Sequence, residues 1–124
     1  MDLGPIFIAE ASSNHGRELP RALDFVDVAA AAGCDAVKFQ LFKIDRMFAP
    51  EILSHSAKHR ARRDWELPEE HLVPIAERCS ANKIAFACTP FYVEAVEKLE
   101  PLVAFYKIAS YEILHSDLLS ACAS

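Results

Sequence analysis

Residues 36–41 read Ala36-Val37-Lys38-Phe39-Gln40-Leu41, a short β-prone run interrupted only by Lys38 and Gln40. Alternation along a strand puts Lys38 and Gln40 on one face and Val37 and Phe39 on the other. Similar runs lie on either side of it. Residues 6–11 carry a single acid, Glu10; residues 84–88 lead into Thr89-Pro90; residues 103–109 contain Lys107 and are followed by Ser110. Between these runs the period changes to that of a helix. Leu19, Leu23, Val26 and Ala30 share one face, with Gly33 as a C-terminal cap. Leu72, Ile75, Ala76 and Cys79 repeat until Asn82, although Pro74 weakens that helix by removing a backbone donor. Residues 92–99 form a short helix stopped by Pro101, and Ser116 or Asp117 is expected to cap a last one. Residues 42–67 read as a long connection. Short, nearly continuous apolar strands alternating with helices predict an α/β fold: a parallel sheet covered by helices and joined by right-handed crossovers.

The composition narrows the class. With 124 residues, 52% of them apolar and 25% charged, the chain can bury one core and is expected to form one domain. Its 18 acidic against 13 basic residues give a net charge of -5, which disfavours nucleic acid as a partner. No stretch approaches the roughly 18 apolar residues of a membrane helix. The start, Met1-Asp2-Leu3-Gly4-Pro5, lacks the basic and apolar regions of a secretory signal, so a cytoplasmic location is expected. Cys34, Cys79, Cys88 and Cys122 lie far apart inside apolar segments and read as small hydrophobes in a reducing compartment.

In α/β folds ligands bind at the carboxyl ends of the strands. Glu10, Lys38, Gln40, Thr89, Lys107 and Ser110 all fall at or near such ends. A lysine inside a buried strand is costly unless an anion neutralises it, and two at neighbouring strands suit a phosphate plus a carboxylate. The alternative is that Glu10 pairs with one lysine while the other snorkels to the rim. Elsewhere, His55 and His59 have i, i+4 spacing but no nearby carboxylate, so metal binding there is not favoured. His15 reads as capping a turn or touching substrate. The basic cluster at 58–63 reads as a solvated loop, with a mobile anion-attracting flap as the alternative, and Trp65 as a packing anchor. Asp24 and Asp27 read as a solvent-facing pair.

At these same residues the sequence resembles the sialic acid synthase family. The resemblance rests on Phe7-Ile8-Ala9-Glu10 with Asn14-His15, on residues 36–40, on Phe86-Ala87-Cys88-Thr89-Pro90-Phe91, and on residues 106–110 (Y-K-I-A-S) with Glu112, in the family's order. It implies the first four β/α units of a TIM (β/α)8 barrel, with residues 1–124 a partial barrel domain lacking the second half and the antifreeze-like domain. It further implies condensation of phosphoenolpyruvate with an N-acyl amino sugar of the N-acetylmannosamine type, giving a nonulosonic acid and phosphate. By the same resemblance, Lys38, Thr89, Lys107 and Ser110 hold phosphoenolpyruvate and Glu10 is catalytic. Gln40, Phe91 and Glu112 lie on the sugar side. A divalent metal, manganese, is implied with ligands outside this chain, and the complete enzyme is implied to be a homodimer of cytoplasmic location.

Three positions depart from the family pattern. A serine in A-S-S-N-H-G-R replaces a glycine, the glycine after Asn14-His15 comes one position early, and Tyr111 stands where the family has glycine. These bear on sugar specificity more than on the phosphoenolpyruvate site. A Schiff-base aldolase, with Lys107 or Lys38 as nucleophile, and a non-catalytic half-barrel that binds an anion or another chain remain as alternatives. Four strands cannot close an eight-stranded barrel, so association through open edges, partial folding and no condensation by the chain alone are expected.

Overall fold

The computed structural model describes residues 4–124; Met1, Asp2 and Leu3, on which part of the signal-segment reading falls, lie outside the described residues. In chain order β1 (Ile8–Ser12) leads through α1 (Leu19–Ala31) to β2 (Ala36–Leu41). Three short helices follow, α2 (Ile44–Met47), α3 (Pro50–His55) and α4 (Ala57–Arg60), and then α5 (Leu72–Ala81). The chain continues through β3 (Ala85–Pro90), α6 (Val93–Leu99), β4 (Phe105–Tyr106) and α7 (Ser116–Ala123). All strand pairs are parallel, in the order β1-β2-β3-β4. Each strand therefore pairs with its successor, the arrangement of consecutive β/α units.

The alternation in β2 sorts its side chains as expected. Val37, Phe39 and Leu41 join Phe86 and Cys88 of β3 in one core, together with Ala22 and Val26 of α1 and Ile75 and Cys79 of α5. Phe39 and Phe86 meet edge to face with centroids 6.2 Å apart. Gly33, at φ +86°, terminates α1. Its N–H donates to Ala30 O, and that of Cys34 to Ala29 O, satisfying carbonyls at the helix end. Pro74 does not disturb α5, because it lies in the first turn, where backbone N–H groups have no partner within the helix. The four cysteines are free, with Cys79 and Cys88 buried. Burial pushes the Cys79 thiol up to about 12 and raises that of Cys88 as well. Among the described residues no helix is long and apolar enough to cross a membrane.

Several local expectations are corrected. The run at 103–109 yields only the two residues of β4, flanked by Ala104 N–H donating to Phe86 O and Lys107 N–H donating to Cys88 O. β4 is the last strand of the sheet and is bonded on one side alone, so little holds the rest of the run extended. Neither Ser116 nor Asp117 caps α7, which starts at Ser116 with His115 in the cap position and no side-chain cap bond. Residues 42–67 are not a featureless connection but contain α2, α3 and α4. Asp27 is not simply solvated: it accepts from Arg78 at 2.6 Å and from Asn82 at 3.0 Å, tying α1 to α5.

Candidate functional site

The sheet register places Glu10 beside Lys38, Lys38 beside Ala87, and Gln40 beside Thr89. On the face away from the helices Lys38 Nζ forms an ion pair with Glu10 Oε2 and donates a 3.3 Å hydrogen bond to Thr89 Oγ1. Lys38 is 8% exposed and Thr89 1%. The Glu10 side chain is 44% exposed, so the buried ammonium is matched by a carboxylate that opens to solvent. Lys107 and Ser110, on the chain segment after β4, are exposed. Lys107 takes part in none of the ion pairs found among the described residues. Glu112 is engaged by His115 Nδ1 at 3.1 Å. The structure thus joins Glu10, Lys38 and Thr89 into one cluster, with Lys107 backbone-bonded beside it and Ser110 and Glu112 farther along the chain.

Beyond Gln40 the strand ends open into a cleft of about 460 Å³. Its polar wall is Ser12, Ser13, Asn14 and Gln40. The Ser12 and Ser13 hydroxyls donate to Gln40 Oε1 at 3.3 and 3.4 Å, which leaves the Gln40 NH2 group as the donor free for a ligand. Phe91 packs edge to face on Phe42 at 5.9 Å and is approached by Tyr111 at 6.3 Å. Tyr111, 72% exposed, lines the cleft and takes up room that a glycine at this position would leave open.

The local backbone explains how the polar wall forms. Ser12 pairs with Phe39 after a register shift in which Ala11 is the extra residue, a bulge at the carboxyl end of β1. Ser12 has φ +52°, and Gly16 and Arg17 follow at +59° and +62°, so the chain turns sharply through left-handed conformations. His15 sits fully buried inside this turn and accepts from Arg17 N–H at 2.9 Å through Nδ1. Of the two readings of His15, the structure shows the turn cap.

Sequence reasoning did not single out Arg62 within the basic cluster. The basic cluster is not merely a solvated loop, because Arg62 lines the cleft with its guanidinium 5.6 Å from the Phe48 ring and 5.8 Å from the Trp65 ring. Trp65 is 52% exposed and also lines the cleft, so it does more than anchor the loop. The available signal was the pair of aromatics, Phe48 and Trp65, that brackets the basic run. His59 bonds Ser56 Oγ through Nδ1 at 2.6 Å and packs edge-on against Phe48. Among the described residues no three His, Cys, Asp or Glu side chains come together as a metal site.

The sequence pattern of the NeuB family matches residues 25–124. The chain belongs to the NeuB family. Among NeuB-family relatives it is 35% identical to the spore coat polysaccharide biosynthesis protein SpsE of Bacillus subtilis, over 96% of this chain and 34% of the relative. It is 34% identical to an N,N'-diacetyllegionaminic acid synthase of Legionella pneumophila, over 94% of this chain and 36% of that protein. The solved structure of an N-acetylneuraminic acid (sialic acid) synthetase from Leptospira borgpetersenii, in complex with citrate, aligns with a TM-score of 0.84 at 34% identity. That alignment covers 97% of this chain and 41% of the other. The chain spans about a third of the length of the curated relatives it matches. The four β/α units are therefore the NeuB-family version of a TIM-barrel-type arrangement, and the resemblance drawn from the strand-end motifs is confirmed.

Proposed function

We propose that this NeuB-family chain provides the phosphoenolpyruvate side of a synthase that joins phosphoenolpyruvate to an N-acyl amino sugar. The observation that carries this reading is a lysine buried at the carboxyl end of a central strand, satisfied by one threonine hydroxyl and one half-open carboxylate. Such a lysine holds its charge ready for an anion that displaces or joins the carboxylate. Lys38 and Thr89 bind the phosphate and carboxylate, with Lys107 and Ser110 closing on them from the segment after β4. The enol carbon forms a bond to the sugar aldehyde carbon, water adds to the resulting cationic centre, and phosphate leaves. Glu10 orients that water or an acceptor hydroxyl. Gln40 and Phe91 flank the acceptor in the cleft, and Glu112 lies on the same side.

The divalent metal implied by the resemblance, manganese, has no three-ligand set among the described residues. The proposal includes a homodimeric complete enzyme and a cytoplasmic location, the latter consistent with four free thiols. The Schiff-base alternative has one of the two lysines activated by the charge of the other. Lys38 is instead neutralised by Glu10 and Lys107 is exposed, which supports the synthase reading.

Titration of the chain with phosphoenolpyruvate, followed by phosphorus NMR, tests the proposal. Lys38→Ala and Lys107→Ala are each expected to weaken binding, and unchanged affinity in both variants overturns it. Borohydride treatment in the presence of a keto acid is expected to leave no covalent adduct.

A further inference from the structure

We propose that Arg62, held against Phe48 and Trp65, is the residue by which the cleft selects an acceptor bearing an N-acyl group; the assignment rests on the synthase reading of the site. Among the described residues Arg62 is the one charged side chain lining the cleft. Its neighbours in the basic run are occupied. Arg60 donates to Leu53 O at 2.7 Å, and Arg63 pairs with Asp45 at 2.8 Å. Arg62 has neither a hydrogen bond nor an ion pair among the described residues, only the two ring contacts.

The guanidinium carbon lies within cation–π reach of both rings, and no acceptor among the described residues takes its N–H donors. The cleft therefore presents a planar fork of unengaged donors next to apolar walls that include Ile44, Met47 and Phe48. An acyl amide complements both parts: its carbonyl oxygen accepts from the fork and its methyl group packs on the rings. A free amine in the same position is a cation facing a cation and is rejected. A carboxylate suits the fork but gives nothing to the aromatic walls.

Trp65 is the chain's one tryptophan, so its fluorescence reports directly on this wall. Titration of the chain with N-acetylmannosamine is expected to change Trp65 emission saturably, with mannosamine and mannuronate binding at least tenfold more weakly. Arg62→Ala is expected to weaken N-acetylmannosamine binding at least tenfold. Arg62→Lys, which keeps the charge without the planar fork, is expected to weaken it several-fold. Equal affinity for mannosamine, a preference for mannuronate, or wild-type affinity in both variants overturns the assignment. Phosphoenolpyruvate binding in the same samples separates the two readings, since Arg62→Ala is expected to leave it unchanged. If phosphoenolpyruvate binds while the acyl sugar does not, the Arg62 assignment alone is wrong. If neither binds, the synthase reading of the site falls and takes this one with it.

Discussion

Glu10 on β1 and Lys38 on β2 are register partners across the sheet, and they form an ion pair on its open face. The two ends of that pair are unequally solvated, with the ammonium nearly covered and the carboxylate 44% exposed. On the proposed reading, an incoming anion competes with Glu10 for the Lys38 ammonium. Removing its charge leaves Lys38 with only the Thr89 hydroxyl, which costs less than breaking a fully buried pair because water reaches the Glu10 side. Glu10→Gln is expected to lower stability by about 1–2 kcal/mol in urea denaturation, while tightening the binding of inorganic phosphate. Lower stability together with weaker phosphate binding contradicts the idea that Glu10 and the anion compete for Lys38.

β2 was legible because its information is local: the period of two that separates Val37 and Phe39 from Lys38 and Gln40 needs no tertiary knowledge. Gly33 was legible for the same reason, since a helix end with a left-handed residue favours glycine wherever it occurs. The fate of Glu10 was not, because pairing with Lys38 or leaving it for a ligand depends on strand register. Residues 42–67 were opaque because α2, α3 and α4 are only 4, 6 and 4 residues long, too short to show a helical period. Arg62 was not singled out for similar reasons. Its role appears only when the chain folds back to set Phe48 and Trp65 on the same guanidinium.

Ser12 holds φ +52° immediately after the bulge in β1. A residue with a Cβ in the left-handed region is strained by about 1–2 kcal/mol, whereas glycine is not. Ser12→Gly also gives up one 3.3 Å contact to Gln40 Oε1, which Ser13 duplicates at 3.4 Å. The net expectation is a gain of about 0.5–1 kcal/mol, seen as a higher urea midpoint with an unchanged slope. A loss of stability means that the hydroxyl contact outweighs the backbone strain.

Glu69 gathers Lys43 at 2.8 Å, Lys98 at 2.6 Å and the Tyr92 hydroxyl at 3.2 Å, joining the segment after β2 to α6. Hydrogen bonds from Lys43 and then Lys98 bring the Glu69 carboxyl down to about 2 from an ordinary 4.5. A folded-state value below the unfolded one means that the stabilisation is complete above pH 4.5 and is lost as pH falls through 2. The network is partly exposed, so Glu69→Gln is expected to cost only about 1 kcal/mol at neutral pH. The gap between the two proteins closes as the pH is lowered through that window, as followed by urea denaturation at a series of pH values. A gap that stays constant with pH assigns the cost to packing rather than charge.

His15 supplies a pH response of the same sense near neutrality. Its ring is wholly buried in the turn after β1, with Nδ1 accepting from Arg17 N–H and Nε2 without a partner. Burial is the main cause that lowers its pKa from 6.5, followed by the charges of His71, Arg17 and Arg21. The folded chain therefore holds His15 neutral where the unfolded chain protonates it. Stability from this group is complete above about pH 6.5 and declines as the pH drops through the lower folded-state value. His15→Asn keeps a side-chain acceptor for the Arg17 N–H but does not titrate. Thermal melts from pH 8 to pH 5 are expected to show a falling midpoint for the wild type and a shallower fall for the variant. Parallel curves place the proton uptake on a group other than His15.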